Sequence, residues 1–505
     1  MQLAHLINDL GSSEIQGTTL VDIRHLSHDS NHVGEDGLFV ALKGAHSDGH
    51  AFIEQAIASG ARALIVEEDT RAGGEVTVIK VPDTRIALAR VADCFYGHPS
   101  RHMTVIGITG TNGKTTTTFL VESILREAGY RPGVIGTIEY RFGDIRRPAP
   151  NTTPNALVLQ ALMREMVDAG ITHLLIEVSS HALEQHRVEC LNFDVAVFTN
   201  LSAEHLDYHG SMENYARAKE LLFSRYLPGS CKEKKYALIN YDDDFGKTLC
   251  TISRAKLLRY GIREGIEISV QDLALNHSGT SLRVMTPSGA VEIRSSLIGS
   301  YNSENILAAL GAALTQNIPL PVISRGIAGL QHIPGRLEQV PNGRGLTILI
   351  DYAHTSDALA QVLDTLRSLG PKRLITVFGC GGDRDTTKRG PMGDEATRRS
   401  DITIITSDNP RTENPQDIIE QIEAGIDKKA IARLTRQALG ENGHNPAYAV
   451  ISDRREAIRT AVSLSKPGDI LLIAGKGHED YQIIGTTRHQ FSDREEVFSA
   501  LSRLS

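Results

Sequence analysis

The chain has 505 residues, which at roughly 150 residues per domain predicts about three domains. Its 53 Lys and Arg residues against 61 Asp and Glu residues give a net charge of −8, so it lacks the basic excess of a typical nucleic-acid-binding protein. No apolar run approaches the ~18 residues of a membrane span, and the first residues lack the pattern of a signal peptide. We therefore expect a cytoplasmic protein with no membrane insertion and no nucleic-acid partner.

The cysteines predict neither disulfides nor a thiolate zinc site. There are five of them, an odd number, and they are widely scattered with no C-x-x-C pair. Cys380, which follows an apolar run, is expected to be a small packed residue rather than a nucleophile.

The first part of the chain predicts a small mixed domain. The segments DGLFVAL, AFIEQAIASG and ARALIVEE follow the pattern of strand, helix and strand. Gly97 and Pro99 then interrupt the pattern, which indicates a linker near residue 100. We assign residues 1–100 to this domain.

A different pattern begins at Met103. Short apolar strands (TVIGITG, HLLIEVSS, DVAVFTN, KYALIN) alternate with long amphipathic helices, which predicts a parallel sheet covered on both faces. The stretch 264–300 favours a β-meander at the edge of that sheet. We assign residues 101–336 to this central domain.

A second break lies where Pro334, Gly335, Pro341 and Gly343 occur close together. Beyond it the alternation resumes through LTILIDYAH, RLITVFGCGG, DITIITSDN, AYAVIS and DILLIAGKG. This predicts a C-terminal Rossmann-like α/β domain over residues 337–505. Within it, the polar segment DKKAIARLTRQALGENGHNP is expected to form a solvated surface helix and loop. The predicted fold class is therefore α/β, with three domains.

The strongest motif follows the first strand of the central domain. The chain reads Gly107-Ile108-Thr109-Gly110-Thr111-Asn112-Gly113-Lys114-Thr115-Thr116 and continues at once into a helical pattern. Glycines let backbone N–H groups close around phosphate oxygens, a lysine meets the outer phosphates, and a hydroxyl can bind Mg²⁺. The motif is a P-loop whose glycines depart from the general spacing, because Ile108 stands where a glycine is usual. The central domain is thus predicted to be a P-loop ATPase domain.

The G-x-x-G-x-x-G-K-T spacing resembles the ATP site of the Mur ligases and the related folylpolyglutamate synthetases. Glu177 and His205 strengthen the resemblance, since each follows a buried strand, at the sheet edge where α/β proteins place their ligands. A lone histidine is more often structural, but here it shares a sheet with the P-loop. The resemblance implies that Glu177 binds one Mg²⁺ and His205 a second.

Lys219 lies in the predicted helix YARAKELLF. Taken alone it is a surface lysine. Its match to the family pattern Y-x-x-A-K-x-x-L-F implies a carbamylated lysine that helps to hold Mg²⁺, together with the hydroxyl of Thr115. Such a modification would turn a cation into an oxygen ligand, which a hard cation prefers.

The resemblance also implies the other contacts to ATP. Asn302 and Asn305 fall in the first turn of a predicted helix, where capping is the alternative role. In the family, the asparagines of this pattern contact the nucleotide, an arginine in the position of Arg336 reaches phosphate from the hinge, and an aspartate in the position of Asp351 meets the ribose. The whole predicted ATP set is Gly110, Thr111, Asn112, Gly113, Lys114, Thr115, Thr116, Asn302, Asn305, Arg336 and Asp351.

Further segments resemble those with which the family holds a UDP-sugar peptide. The residues implied are Ser30, His46, Asn151, Thr152, Thr153, Ser179, Gln185 and Arg187. Arg187 is alternatively a surface arginine, and Asn31 stands where the family usually has arginine. That departure removes support for a contact at residue 31.

The C-terminal domain carries the motif that distinguishes between members of the family. Asp408-Asn409-Pro410-Arg411 alone would be a turn. Together with Gly475-Lys476-Gly477-His478-Glu479 it resembles the amino-acid site of the member that adds meso-diaminopimelate. The implied contact residues are Arg384, Asp408, Asn409, Pro410, Arg411, Gly475 and Glu479. The chemistry agrees, because Arg411 can hold the second carboxylate of diaminopimelate, which lysine lacks.

The resemblance implies an ATP- and Mg²⁺-dependent amide ligase of cytoplasmic peptidoglycan precursor synthesis. It would join meso-diaminopimelate to the D-glutamate γ-carboxylate of UDP-N-acetylmuramoyl-L-alanyl-D-glutamate through an acyl phosphate, with Lys114, Glu177, His205 and Lys219 as its catalytic residues. A monomer is expected. The alternatives are the lysine-adding ligase, a folylpolyglutamate synthetase and a non-catalytic relative, the last of which should have lost one of these four residues.

Overall fold

The computed structural model describes residues 1–44, 47–73, 75–276, 279–440 and 446–504. Its strands form three large sheets that follow one another along the chain, together with one two-stranded sheet. Each large sheet is mainly parallel and carries helices, so the α/β prediction is confirmed. In the described part of the chain, no helix has both the length and the apolar character needed to cross a membrane.

The first sheet has five strands in the order β1-β5-β4-β3-β2, of which only β1 runs antiparallel to its neighbour. Its strands are β1 (Glu14–Gln16), β2 (His25–Ser27), β3 (Gly37–Val40), β4 (Ala61–Val66) and β5 (Thr77–Lys80). Its helices are α1 (Leu3–Leu6), α2 (Ile53–Ala58) and α3 (Thr84–Phe95), and Pro99–His102 forms a 3₁₀ turn. Two apolar clusters cover the sheet on opposite faces.

The central sheet has eleven strands in the order β16-β15-β14-β13-β12-β11-β6-β10-β7-β8-β9. The strands are β6 (Thr104–Thr109), β7 (Pro132–Ile135), β8 (Glu139–Phe142), β9 (Ile145–Pro148), β10 (His173–Glu177), β11 (Val195–Phe198), β12 (Tyr236–Asn240), β13 (Lys256–Gly261), β14 (Ile268–Asn276), β15 (Gly279–Thr286) and β16 (Gly289–Ser295). The pairs from β7 to β14 are parallel, and antiparallel hairpins close both edges. The β-meander predicted for 264–300 is the β14–β16 edge.

The helices of this region are α4 (Lys114–Glu127), α5 (Ala156–Asp168), α6 (Ser180–Glu184), α7 (Leu206–His209), α8 (Met212–Leu221), α9 (Leu227–Gly229), α10 (Asp244–Ile252), α11 (Ser300–Thr315) and α12 (Leu320–Gly329). A π-helical turn, Leu222–Tyr226, follows α8. Helix α4 buries Leu120, Val121, Ile124 and Leu125 against the sheet and its neighbouring helices. Because β6 and α4 are both buried, the loop between them is held from two sides.

The third sheet has seven strands in the order β17-β18-β23-β19-β20-β22-β21. Its strands are β17 (Glu338–Gln339), β18 (Thr347–Asp351), β19 (Leu374–Phe378), β20 (Ile402–Ile405), β21 (Ala432–Arg433), β22 (Ala447–Val450) and β23 (Ile470–Ala474), and β24 (Tyr481–Ile484) with β25 (Thr487–Gln490) forms a separate hairpin. The helices are α13 (Ser356–Ser368), α14 (Arg389–Arg399), α15 (Pro415–Glu423), α16 (Arg454–Leu464) and α17 (Asp493–Leu501). All pairs except β17–β18 are parallel, as the Rossmann-like prediction requires.

One prediction of secondary structure is wrong. The segment 427–440 forms no α-helix; it contributes strand β21 to the sheet edge and then a 3₁₀ turn, Ala438–Gly440. Ile431 and Leu439 are buried, so the segment packs against the sheet through these two side chains instead of forming an exposed helix. Residues 441–445 of the same segment lie outside the described residues. The domain boundaries at residues 100 and 336 stay predictions.

Candidate active site

The loop between β6 and α4 is built around two glycines with positive φ. Gly110 has φ 147° and Gly113 has φ 85°, which are backbone conformations that residues other than glycine rarely adopt. A Cβ at Gly113 would also collide with the Asn305 side chain of α11. Lys114 Nζ donates to the carbonyl oxygens of Gly110 and Thr111, each at 2.8 Å. The loop therefore places a half-buried lysine at the N-terminus of a fourteen-residue helix, an arrangement that suits phosphate binding.

A carboxylate lies directly beside this loop. Glu177, the last residue of β10, is buried and accepts hydrogen bonds from the Thr115 hydroxyl at 2.9 Å and from the Thr137 hydroxyl at 2.9 Å. The backbone N–H of Thr137 donates to the second carboxylate oxygen at 3.1 Å. Two of the four predicted metal ligands, Thr115 and Glu177, are thus in contact, and both offer the oxygen atoms that Mg²⁺ prefers.

Lys219 is not on the surface: its side chain is 1% exposed. Its Nζ donates to the Gly110 carbonyl oxygen at 2.8 Å and lies 4.3 Å from the centre of the Tyr215 ring. Burial, together with the charge of Lys114, holds the pKa of Lys219 well below its usual value, against the opposing effect of Glu204. Among the described residues no carboxylate forms an ion pair with Lys219, so its surroundings disfavour the charged form of the amine.

His205 and its neighbour Glu204 lie where the central and C-terminal regions meet. His205 has φ 57° and precedes α7. Glu204 Oε1 lies 3.9 Å from His205 Nε2 and 3.3 Å from Nε2 of His354, which follows β18. Burial alone would raise the pKa of Glu204, but the hydrogen bond and charge of His354, with His205 and Lys114, lower it far below its usual range. Glu204 therefore joins the two regions as a carboxylate.

The predicted ATP residues surround one cavity of about 230 Å³. Ten of the eleven line it, namely Thr111, Asn112, Gly113, Lys114, Thr115, Thr116, Asn302, Asn305, Arg336 and Asp351, as do Glu177 and His205. Gly110 does not line it but accepts hydrogen bonds from Lys114 and Lys219. Arg336 lies at the junction of the central and C-terminal regions, and its Nη2 donates to the Thr115 hydroxyl at 3.4 Å. We call this space the nucleotide cavity.

Three further polar side chains of the nucleotide cavity are fixed by their own hydrogen bonds. Asn302 Nδ2 donates to the Ile298 carbonyl at 2.7 Å, and Asn305 Nδ2 donates to Asn302 Oδ1 at 3.1 Å. Neither asparagine caps α11, whose N-cap is Gly299. Asp351 accepts from the backbone N–H groups of Leu337 and Ala353, both at 2.7 Å, and burial raises its pKa.

A second, larger cavity of about 1200 Å³ adjoins the first. Of the residues predicted to hold the UDP-sugar peptide, Asn151, Thr152, Thr153, Ser179 and Arg187 line it. Gln185 does not, but its Oε1 accepts from Arg187 at 2.8 Å while Arg187 Nη1 donates to the Thr153 carbonyl at 2.8 Å. Ser30 lies buried in the first region against Gln55 and does not line this cavity, and His46 lies outside the described residues.

The third cavity, about 340 Å³, lies at the carboxyl ends of strands of the third sheet. Six of the seven residues predicted to bind diaminopimelate line it, namely Arg384, Asp408, Asn409, Arg411, Gly475 and Glu479; Pro410 does not. Arg411 has φ 52°, and its Nη1 donates to the Gly382 carbonyl at 2.6 Å. We call this space the amino-acid cavity.

The nucleotide and amino-acid cavities share a wall formed by Glu204, His205, Tyr352 and His354. The sequence assigned no role to Thr137, Glu204, His354 or Lys476. Glu204 and Lys476 stand inside motifs and could have been noticed there, whereas no pattern marked Thr137. Cys380 is buried 3.7 Å from the Met392 sulfur, and burial raises the pKa of its thiol to about 12, which suits a packed residue. In the described part of the chain, no three or more His, Cys, Asp or Glu side chains are grouped to hold a metal.

A P-loop cavity at the carboxyl ends of parallel strands, adjoined by two further polar cavities, is typical of a nucleotide-dependent α/β enzyme. Three family models match the chain: the Mur ligase family, catalytic domain, over residues 22–96; the Mur ligase middle domain over 108–313; and the Mur ligase, glutamate ligase domain, over 335–477.

Individual relatives align with this chain over its full length. A protein of Geobacter metallireducens named UDP-N-acetylmuramoyl-L-alanyl-D-glutamate--2,6-diaminopimelate ligase is 46% identical, and the alignment covers 100% of this chain and 99% of the relative. A solved structure with the same enzyme name is 33% identical, with a TM-score of 0.69 and 99% of each chain covered. The MurF ligase of Thermotoga maritima in complex with ADP, at 21% identity and a TM-score of 0.63 over 95% of this chain and 97% of that one, shares the fold. The chain belongs to the Mur ligase family.

Proposed function

We propose that this chain is the ligase that adds meso-diaminopimelate to UDP-N-acetylmuramoyl-L-alanyl-D-glutamate at the expense of ATP. The observation that carries the proposal is the common wall of the nucleotide and amino-acid cavities, because an activated carboxylate formed on one side can be attacked by an amine from the other. The two relatives described above align with the full length of the chain, and both are named for this activity.

The nucleotide cavity supplies the activation step. The γ-carboxylate of the D-glutamate attacks the γ-phosphate of ATP, ADP leaves, and an acyl phosphate forms. Lys114, at the start of α4, and Arg336, from the hinge, offset the negative charge that develops on the phosphoryl oxygens. Asn302, Asn305 and Asp351 line the same cavity and orient the nucleoside.

Thr115, Glu177, His205 and Lys219 are the residues that would hold Mg²⁺. The hydroxyl and carboxylate oxygens at Thr115 and Glu177 fit a hard cation, and the buried amine of Lys219 fits a carbamate, since only an uncharged amine adds carbon dioxide. When bound, Mg²⁺ neutralises phosphate charge during the transfer.

The amino-acid cavity supplies the choice of amine. Arg411 and Arg384 offer two guanidinium groups to the distal carboxylate of diaminopimelate, and Asp408 and Glu479 offer carboxylates to its ammonium group. The attacking amine displaces phosphate from the acyl phosphate and forms the amide. Lysine would leave the two guanidinium groups without a carboxylate partner.

The larger cavity receives the UDP-sugar peptide, with Asn151, Thr152, Thr153, Ser179 and Arg187 along it, Gln185 orienting Arg187, and Ser30 and His46 at the uridine end. Such substrates belong to cytoplasmic peptidoglycan precursor synthesis, so we place the enzyme in the cytoplasm, acting as a monomer.

The test is a phosphate-release assay with ATP, Mg²⁺ and UDP-N-acetylmuramoyl-L-alanyl-D-glutamate, run in parallel with meso-diaminopimelate, lysine and ornithine. We expect release to be greatest with meso-diaminopimelate. Greatest release with lysine would identify the lysine-adding ligase instead, and release that depends on a folate acceptor would identify a folylpolyglutamate synthetase.

A further inference from the structure

Lys476 is a fully buried lysine at the edge of the amino-acid cavity. It follows β23 in the sequence Gly475-Lys476-Gly477-His478-Glu479, and its side chain has no exposed surface. A lysine in such a place is costly to bury unless its charge is paired and its protons are accepted. The contacts of its Nζ therefore indicate what it does.

The Lys476 ammonium group touches both motifs that surround the amino-acid cavity. Its Nζ donates to Asn409 Oδ1 at 2.9 Å and to the Tyr481 carbonyl oxygen at 2.8 Å. It also lies 3.1 Å from Asp408 Oδ1 and 3.5 Å from Glu479 Oε2. One buried cation thus joins the carboxyl ends of β20 and β23 and the start of the β24–β25 hairpin.

The partners of Lys476 are joined to one another as well. Asn409 Nδ2 donates to Glu479 Oε2 at 2.9 Å, and Asn409 Oδ1 also accepts from the backbone N–H of Ile483 at 3.0 Å. Asn409 can hold this orientation only while its oxygen faces the two donors. Removing the Lys476 ammonium would leave Asp408 and Glu479 facing each other with no cation between them.

The charges of this cluster do not cancel. Two carboxylates face one ammonium group, while the nearby buried Arg454 is engaged by Asp493 at 2.7 Å. The cluster therefore presents one surplus negative charge to the amino-acid cavity, which suits a ligand that brings an ammonium group.

We propose that Lys476 is a positioning residue of the amino-acid cavity: it holds Asp408, Asn409 and Glu479 in one arrangement and sets the single negative charge with which they receive the substrate ammonium group. The inference rests on the proposed function for the identity of the amino acid. Lys476 itself does not line the amino-acid cavity, whereas Asp408, Asn409 and Glu479 do, so its effect on the substrate is expected to pass through these three side chains.

The first test is the Lys476→Met variant, with ATP and UDP-sugar dipeptide saturating. We expect the KM for meso-diaminopimelate to rise about 30-fold or more, the loss that accompanies removal of one partner of a buried charge pair, with kcat changed less than about threefold. The KM for ATP should stay within about twofold of the wild-type value, since Lys476 does not line the nucleotide cavity. Lys476→Gln removes the charge but keeps a donor; it carries the same expectation and serves where Lys476→Met does not fold.

A pH profile separates positioning from simple stabilisation. Burial and the charge of Asp408 raise the pKa of Glu479, while Lys476 and Asn409 lower it. The charged and titratable groups that face Glu479 are Lys476, Asp408, Tyr352, Tyr481 and Arg454. Without Lys476 the pKa of Glu479 should rise further, so the acidic limb of kcat/KM for diaminopimelate should move to higher pH by about one unit or more. In a Glu479→Gln background the same substitution should no longer move the limb.

The matched control is Arg373→Met. Arg373 pairs with Asp469 at 2.6 Å in the same domain, and both are buried, but they lie at the opposite ends of the strands, away from the amino-acid cavity. It should lower stability without moving the KM for diaminopimelate or the pH limb. If Lys476→Met behaves like Arg373→Met, the inference is wrong. If the wild-type enzyme shows no diaminopimelate-dependent phosphate release, the proposed function fails instead, and the two failures are therefore distinct.

Discussion

Two buried lysines, one in the central region and one in the C-terminal region, have opposite surroundings. Lys219 is 1% exposed and Lys476 is 0% exposed, so both side chains are shielded from solvent. Lys476 lies between two carboxylates, whereas the contacts of the Lys219 amine among the described residues are a carbonyl oxygen and an aromatic ring, with the charge of Lys114 opposed by that of Glu204. The same residue type thus has its charge compensated by direct ion pairs in one place and disfavoured by its surroundings in the other.

Other charged groups show both kinds of surroundings. The C-terminal region contains the buried pairs Arg454–Asp493 and Arg373–Asp469, and the central region contains the buried pair Arg141–Glu122. The half-buried Glu304 of the central region differs, because among the described residues it has an amide partner, Asn240, and no cation. Buried ion pairs fix the geometry of their side chains. A shielded group without an opposite charge has a shifted pKa, which is typical of groups that react with a ligand or are modified.

Changing Lys219 should have the largest effect on activity. We expect Lys219→Ala to lower the rate of phosphate release about 10³- to 10⁵-fold, the range that one essential charged group contributes in phosphoryl transfer. Lys247→Ala, at an exposed lysine of the same region, should leave the rate unchanged. A carbon-13 carbamate signal should appear in the wild-type enzyme with labelled bicarbonate and be absent from Lys219→Ala. Full activity of Lys219→Ala would remove any reactive role from this lysine.

Breaking the buried Arg454–Asp493 pair should lower the stability of the C-terminal domain. Arg454→Met leaves Asp493 buried without its cation, and we expect the C-terminal domain to lose about 3–5 kcal/mol in its free energy of unfolding. Denaturant unfolding followed by circular dichroism measures this loss. Arg398→Met, which removes an exposed ion pair on α14, should cost no more than about 0.5 kcal/mol. Equal losses for the two variants would show that burial does not distinguish them.

The choice of amino acid should depend on Arg411. We expect Arg411→Ala to lower kcat/KM for meso-diaminopimelate about 100-fold, because a bidentate contact to the distal carboxylate is lost. The low activity with lysine should change little, since lysine has no such carboxylate. Arg436→Ala, at an exposed arginine of the same domain, is the control. Unchanged use of diaminopimelate would mean that its carboxylate is held elsewhere.

The smallest effect concerns Glu304 and pH. Burial raises the pKa of Glu304 to about 7, helped by the charges of Asp242 and Asp243 and opposed by the Asn240 hydrogen bond. Between the unfolded pKa, near 4.5, and about 7, the folded protein holds a proton that the unfolded chain has lost, so stability should fall as the pH rises through this window.

Replacing Glu304 by glutamine removes that titration. Glu304→Gln should be more stable than the wild type by roughly 2–3 kcal/mol at about pH 8 and similar to it at about pH 4, as thermal unfolding at the two pH values would show. The exposed Glu264→Gln is the control. A parallel loss of stability with pH in Glu304→Gln would assign the dependence to other groups.

Much of the fold was predictable because the sequence repeats a simple pattern. Short apolar strands such as those ending at Thr109, Glu177 and Phe198 alternate with amphipathic helices, and parallel strands buried on both faces produce that pattern. The path of segment 427–440 was mispredicted because its two buried apolar residues, Ile431 and Leu439, lie eight positions apart, and two positions do not define a period.

The candidate site was predictable where one stretch of chain holds several of its residues. The P-loop and the segment Asp408–Arg411 are of this kind. Thr137 was missed because its contact with Glu177 joins residues 40 positions apart. The burial of Lys219 and Lys476 was equally out of reach, since a lysine between polar neighbours in the sequence looks like a surface residue until packing is known.

The packing around Arg336 has a consequence for the coupling between nucleotide binding and amino-acid binding. Its neighbour Gly335 packs so tightly against the backbone of Gly477 and His478 that a Cβ would not fit, and Glu338 begins a strand of the third sheet. The backbone around Arg336 is therefore packed against the third sheet, whereas its guanidinium group contacts the hydroxyl of Thr115 in the P-loop. A nucleotide that engages Arg336 is therefore expected to restrict the position of the third sheet and, with it, that of the amino-acid cavity. Reciprocity of binding free energies then requires that the nucleotide change the affinity for the amino acid by the same factor by which the amino acid changes the affinity for the nucleotide.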